Sequence, residues 1–171
     1  MRVRQRRRSV LQSESEHQYE FCLVSFIDIL GFESLVRSDD AAHRIFRVIE
    51  DLYSSSKEDS LPENTFFSQL SDAIIRVLCV NRRSNNDASV AEEPSALADI
   101  QLSLLERGVV VRGGVSMGMA YVGKNGRGPV FGPAMIRAYH TENEEAVYPR
   151  IVIDDDLTAS RGLRDIRHLK R

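Results

Sequence analysis

Two aspartates have sequence surroundings that suit metal and phosphate chemistry. Asp28 lies near the end of the apolar run FCLVSFIDI at residues 21–29. Asp72 follows TFFSQL and Ser71 and directly precedes the apolar run AIIRVLCV. Carboxylate oxygens at a strand end and at a hairpin tip are hard ligands of the kind that Mg²⁺ binds. A pair of bound ions polarises a phosphoryl group and stabilises a departing pyrophosphate. The two aspartates therefore predict nucleotide chemistry if the fold brings them together.

Both aspartates also have a simpler structural interpretation. Asp28 could cap the helix expected after Gly31, and Asp72 could be an ordinary turn residue. Their separation along the chain does not decide between a structural role and a metal-binding role. That choice depends on the motifs around them.

Four basic side chains are candidates for contact with a triphosphate. Arg76 and Arg112 occur in predicted strands, where an arginine can also extend to water or pair with an acid. Lys124 and Arg127 belong to the glycine-containing loop KNGRG. This loop lacks the P-loop spacing GxxxxGK(S/T), so a plain hairpin turn is its alternative interpretation.

The hydrophobic pattern predicts the elements that must position these residues. Their order is a strand, a helix pair, two strands, a helix, two strands, a helix and a strand. Asp72 falls near the tip of the first hairpin, the polar stretch 81–94 predicts a surface loop, and Gly108 closes the helix that follows it. This order is typical of an α+β fold with a ferredoxin-like core sheet, with helices on one face and the other face open.

Length and composition favour one domain with a basic extension. The 171 residues include 42% apolar residues and carry a formal net charge of −2. We predict a disordered N-terminal arm at residues 1–18 and a folded domain at residues 19–171, because the arm has few apolar residues to offset ordering. Contact of the arm with nucleic acid is the alternative. Its basic residues are Arg2, Arg4, Arg6, Arg7 and Arg8.

The cysteines and the hydropathy favour a cytoplasmic protein. Cys22 and Cys79 lie in apolar runs, which predicts two buried thiols in a reducing compartment instead of a disulfide or a metal site. No apolar stretch reaches the roughly 18 residues that span a bilayer, and the arginine-rich start does not lead into an apolar signal core. No membrane partner is expected.

Four segments occur in a distinctive order and spacing: FIDILGF (26–32), LSDAI (70–74), RGGVSMG (112–118) and VFGPAMIRAY (130–139). Together they resemble the catalytic domains of class III nucleotide cyclases, over about residues 20–155. The resemblance implies that Asp28 and Asp72 bind two Mg²⁺ or Mn²⁺ ions per site, with the carbonyl of Ile29 as a backbone ligand. It also implies a homodimer in which each site takes metal ligands from one chain and helix residues from the other.

The chain departs from purine cyclases at the positions that read the base and stabilise the transition state. Ser68 stands where such cyclases usually keep a lysine, and Pro129 stands where they keep an aspartate or a cysteine. Ile136 occupies the usual asparagine position and His140 the usual arginine position. Arg137, next to Ile136, could replace the missing cation, because Arg and protonated His both stabilise phosphoryl charge. Ser68 is thus a predicted nucleotide contact, and Arg137 and His140 are predicted catalytic residues.

The segment AYHTENEEAVYPRIVID at residues 138–154 is similar to the compact cyclases of bacterial Pycsar anti-phage systems, which make cyclic UMP or cyclic CMP. This resemblance implies that UTP or CTP is the substrate. It also implies that a separate effector reads the cyclic product as a signal for anti-phage defence.

Three other functions compete with a cyclase. A catalytically degenerate cyclase-like domain, which binds a nucleotide or a partner, is favoured by the altered transition-state positions. An RNA-binding module would suit a ferredoxin-like sheet, but its aromatic signature is absent, and no nucleic acid partner is expected. A diguanylate cyclase would need paired glycines where this chain has LSDAI.

Overall fold

The computed structural model describes residues 18–37, 43, 47, 50, 65–80, 87–123, 129–155 and 157. Apart from Gln18, the predicted basic arm lies outside these residues, as do Lys124, Arg127 and most of the predicted helix pair that follows Gly31. No helix within the described ranges is long and apolar enough to cross a membrane.

The described elements follow one another as a strand, a helix, two strands, a helix, two strands, a helix with a π-helical turn, and a strand. The strands are β1 (Glu20–Ile29), β2 (Thr65–Leu70), β3 (Ala73–Cys79), β4 (Val111–Val122), β5 (Val130–Phe131) and β6 (Ile151–Ile153). The helices are α1 (Phe32–Val36), α2 (Asp87–Glu106) and α3 (Pro133–His140), and a π-helical turn (Thr141–Glu145) follows α3 directly.

The strands form one sheet in the order β2, β3, β1, β4, with β5 and β6 pairing with different parts of β4. All pairs are antiparallel except the parallel pair of β4 and β6. Strand β1 lies in the centre because its run FCLVSFIDI is apolar on both faces, which suits a strand covered on both sides. The predicted mixed α+β fold is confirmed.

Alternating residues divide the sheet into two faces. On the α2 face, Leu23 and Ile27 of β1 pack against apolar residues of α2 such as Leu97 and Leu104. On the α3 face, Val24 and Phe26 pack with Ala134 and Ala138 of α3. The long helix thus covers one face, and the short α3 is an additional helix on the other.

Glycines on β4 allow α3 to approach this closely. A Cβ atom at Gly114 would collide with the carbonyl oxygen of Ala138 and lie 2.5 Å from the backbone nitrogen of Glu142. The backbone of α3 and its π-helical turn therefore rests directly on the sheet at this point.

The two cysteines form a buried pair of thiols, as predicted. Cys22 and Cys79 face each other across β1 and β3, and their Sγ atoms lie 2.8 Å apart as free thiols. The hydrogen bond with Cys79, followed by burial, raises the pKa of the Cys22 thiol. Cys22 is therefore a core thiol with little thiolate character.

Helix α2 begins earlier than the polar stretch 81–94 predicts. It starts at Asp87 and contains Pro94, and it ends before Gly108, whose positive φ of 76° closes it as predicted. The early start is explained by tertiary contacts, because Val90 is buried in the core and Glu93 is buried against a strand arginine. Neither contact is visible in the local sequence.

Candidate functional site

Asp28 and Asp72 lie at the same end of neighbouring strands. Asp28 is the penultimate residue of β1 and pairs with Ala73, the first residue of β3. Asp72 precedes Ala73 in the two-residue turn between β2 and β3, where Ser71 adopts a positive φ of 56°. The tight hairpin thus places the Asp72 carboxylate beside the end of β1.

The two carboxylates affect each other electrostatically. Burial raises the pKa of Asp28, and the neighbouring charge of Asp72 raises it further, while Arg112 lowers it. Two acidic groups in mutual repulsion favour the approach of a cation. The pair is therefore a candidate cation site.

Arg112 is the third charged member of the site. It lies directly opposite Asp28 in the register of β1 and β4, with its Nε atom 3.7 Å from Oδ2 of Asp28. The same Nε contacts Oε1 of Glu142 in an ion pair. Arg112, a predicted nucleotide contact, is thus placed at the site.

Glu142 is a member of the site that the sequence did not indicate. It is only 2% exposed, in the π-helical turn that follows α3. Burial raises its pKa, Arg112 opposes that shift, and the charges of Asp28 and Asp72 add to it. The segment TENEE holds three glutamates, and a π-helical turn departs from the 3.6-residue period, so periodicity could not show which of them points inward.

The donor set fits hard divalent cations that also bind a triphosphate. Within the described ranges, no three His, Cys, Asp or Glu side chains are grouped so as to hold a metal ion by themselves. Mg²⁺ is usually held by one or two carboxylates with phosphate and water oxygens completing its shell. Asp28 and Asp72 suit that mode, and the Ile29 carbonyl remains a predicted ligand.

Arg137 is held over β4 at a distance from this carboxylate pair. Its Nη2 donates to the carbonyl oxygen of Met117, and its Nε lies 3.9 Å from Oδ2 of Asp154. Met117 is five residues along β4 from Arg112, or about 17 Å at roughly 3.4 Å per residue. One chain alone therefore does not bring Arg137 to Asp28.

His140 lies one helical turn beyond Arg137 on α3. Its side chain is exposed, and Nδ1 is 3.1 Å from Oε1 of Glu144. It points to solvent instead of toward Arg112, so its predicted catalytic role requires a partner chain.

The two remaining predicted contacts lie on opposite faces of the sheet. Ser68 pairs with Ile75, which belongs to the α3 face together with Phe26, so Ser68 is on the same face as Asp28. Arg76 faces α2, is 3% exposed and forms a buried ion pair with Glu93 at 2.6 Å. This position contradicts the predicted nucleotide contact of Arg76, because the guanidinium is enclosed on the α2 face, opposite to the face that carries Asp28.

Comparison with known proteins identifies the fold. No protein-family model and no curated protein matches the chain. Among solved structures, the adenylyl cyclase CyaB from P. aeruginosa superposes with a TM-score of 0.61 at 15% identity, over 88% of this chain and 84% of that one. The guanylate cyclase domain of RhGC from Catenaria anguillulae, in complex with GTP, gives 0.56 at 16% identity over 82% and 81%.

A third similar structure is that of an ATP-binding protein. It is a class III adenylyl cyclase-like ATP-binding protein from Pseudomonas aeruginosa, with a TM-score of 0.62 at 16% identity. The match covers 81% of this chain and 34% of that chain. At these identities the likeness concerns the fold, and the chain has the fold of class III nucleotide cyclase catalytic domains.

Proposed function

We propose that this chain is a nucleoside-triphosphate cyclase in which Asp28 and Asp72 bind two divalent cations. The observation that carries the proposal is the position of the two carboxylates at adjoining strand ends in a cyclase fold. The electrostatic coupling of the pair supports cation binding over two unrelated turn residues.

In the proposed reaction the ribose 3′ hydroxyl loses its proton to water and its oxygen bonds to the α-phosphorus. The bond from the α-phosphorus to the bridging oxygen of the β-phosphate breaks, and pyrophosphate leaves. Mg²⁺ or Mn²⁺, when bound, supplies Lewis-acid stabilisation of the attacking oxygen and of the triphosphate. Asp28 and Asp72 would hold the cations and so would orient the triphosphate. Arg137 neutralises charge that develops on the phosphate, since its planar guanidinium matches phosphate oxygens. Arg112 borders the same space, and Lys124 and Arg127 remain proposed triphosphate contacts.

The distance between Asp28 and Arg137 supports a homodimer with shared sites. We propose that Arg137 and His140 of one chain act beside Asp28 and Asp72 of its partner. Helix α3 presents Ile136 and Tyr139 to solvent, with 58% and 46% of their surfaces exposed. Exposed apolar side chains on a helix that also carries Arg137 favour an interface at this position.

We further propose that the substrate is UTP or CTP. Ser68 and Pro129 replace the residues with which purine cyclases read the base, and Ser68 lies on the same sheet face as Asp28. A short hydroxyl side chain cannot make the contacts of a lysine to a purine edge. The cyclic product would serve as an anti-phage signal in the cytoplasm, read by a separate effector.

A catalytically inactive nucleotide-binding domain is the second candidate function. Ile136 favours it, because an exposed isoleucine stands where the family keeps an asparagine. The fold likeness to an adenylyl cyclase-like ATP-binding protein is consistent with such a role.

Product analysis separates these candidates. The purified protein is incubated with each of the four ribonucleoside triphosphates and Mn²⁺ or Mg²⁺, and the products are resolved by mass spectrometry. We expect cyclic UMP or cyclic CMP with release of pyrophosphate. Predominant cyclic AMP or cyclic GMP would refute the pyrimidine assignment, and no product from any triphosphate would favour the inactive domain.

A further inference from the structure

We propose that Glu142 is a positioning residue that holds the Arg112 guanidinium off Asp28 and so sets the affinity of the site for divalent cations. The inference rests on the proposed metal role of Asp28 and Asp72. It assigns a function to a buried glutamate that the catalytic proposal leaves unused.

The contacts of Arg112 are unequal. Its Nε forms the closer ion pair with the Glu142 carboxylate and a longer one, at 3.7 Å, with Oδ2 of Asp28. The side chain of Glu142 is 3% exposed and that of Asp28 is 20% exposed. The charge on the Glu142 carboxylate is less hydrated than that on Asp28, so loss of its ion partner costs more free energy. Arg112 therefore remains paired with Glu142.

The backbone fixes this arrangement. Gly114 lets the π-helical turn rest on β4, because its missing Cβ leaves room for the backbone nitrogen of Glu142. Arg112 lies two residues away on the same strand and the same face. The glutamate therefore reaches Arg112 from the helix side of the sheet.

Removal of the Glu142 charge should weaken cation binding in two ways. The guanidinium would lose its buried partner and move toward Asp28, the nearest remaining carboxylate. The site would also lose one negative charge while it kept the positive charge of Arg112. Substitution of a residue that contacts and orients a metal ligand commonly changes metal affinity by 10- to 100-fold.

The test measures Mn²⁺ binding without a nucleotide, by the loss of the free-ion electron paramagnetic resonance signal. We expect Glu142→Gln to weaken Mn²⁺ binding by about tenfold or more. The double variant Arg112→Gln with Glu142→Gln should return to within about threefold of the unmodified protein, because it removes the competing guanidinium as well. Glu145→Gln, an exposed glutamate of the same turn, is the matched control and should bind Mn²⁺ normally.

The outcomes separate this inference from the proposed function. If Glu142→Gln binds Mn²⁺ as tightly as the unmodified protein, or if the double variant is as weak as the single one, the positioning role is overturned. If the unmodified protein and Asp28→Ala bind Mn²⁺ equally, the metal assignment itself fails. Should Glu142→Gln not fold by circular dichroism, Glu142→Asp is used, which keeps the charge but shortens the reach, and unchanged binding would again overturn the inference.

Discussion

Burial and the neighbouring charge of Asp72 both raise the pKa of Asp28. We predict that Asp28→Ala and Asp72→Ala each abolish cyclase activity while the fold survives. Each substitution removes one carboxylate ligand of the cations without removing an apolar side chain from the core. Activity is measured as pyrophosphate release and the fold by circular dichroism. Asp99→Ala, on the exposed side of α2, is the control and should retain activity. Retained turnover in both site variants would remove the metal assignment.

Arg76 helps to attach α2 to the sheet. Its guanidinium donates twice to Glu93, at 2.6 and 2.9 Å, and the Ser25 hydroxyl also donates to Glu93 at 3.4 Å. We predict that Glu93→Ala lowers the free energy of unfolding by about 3–5 kcal/mol, because it leaves a buried guanidinium without its partner. Urea denaturation measures the change.

A double variant distinguishes a lost ion pair from lost packing. Arg76→Met with Glu93→Leu removes both charges and keeps apolar volume, so it should be much more stable than Glu93→Ala alone. Equal destabilisation of the two variants would show that the ion pair is not the cause.

At the scale of elements, β4 and α3 determine where the Arg137 guanidinium lies. Gly114 and Gly118 both face α3, but a Cβ at Gly114 would meet helix backbone, whereas a Cβ at Gly118 would lie 2.7 Å from Nη2 of Arg137. Backbone cannot yield as the end of a side chain can. Gly114 therefore allows the helix to pack on the sheet, whereas Gly118 leaves room for the Arg137 guanidinium.

We predict that Gly118→Ala displaces the Arg137 guanidinium and lowers kcat at least tenfold, with a loss of stability below about 1 kcal/mol. Gly114→Ala should instead lower the free energy of unfolding by about 1–3 kcal/mol or more, because α3 must move. Thermal unfolding and steady-state kinetics on both variants check the contrast. Unchanged kcat in Gly118→Ala would argue against a catalytic Arg137.

At the scale of the whole molecule, one chain holds Asp28 and Arg137 too far apart to act on one phosphate, as their separation along β4 shows. We predict a homodimer, and we predict that a mixture of Asp28→Ala and Arg137→Ala chains regains activity, since each mixed dimer contains one intact site. Each variant alone should be inactive. Analytical ultracentrifugation measures the dimer, and an inactive mixture despite confirmed exchange of chains would contradict shared sites.

Local pattern determined much of the fold. The run at residues 21–29 predicted the central strand because all its positions before Asp28 except Ser25 are apolar, and the predicted closure of α2 at Gly108 is confirmed by its positive φ. These features depend on neighbours along the chain. The hairpin tip was predictable for the same reason, and so was the placement of Asp72 beside β1 once the strand order was known.

Tertiary structure decided which charged residues share a face. Arg76 and Arg112 look alike in sequence, but strand register places one against Glu93 of α2 and the other opposite Asp28. Glu142 joins the site through a π-helical turn that breaks the helical period. Contacts between residues distant in the chain depend on register and close packing, and no local pattern of residue types encodes those.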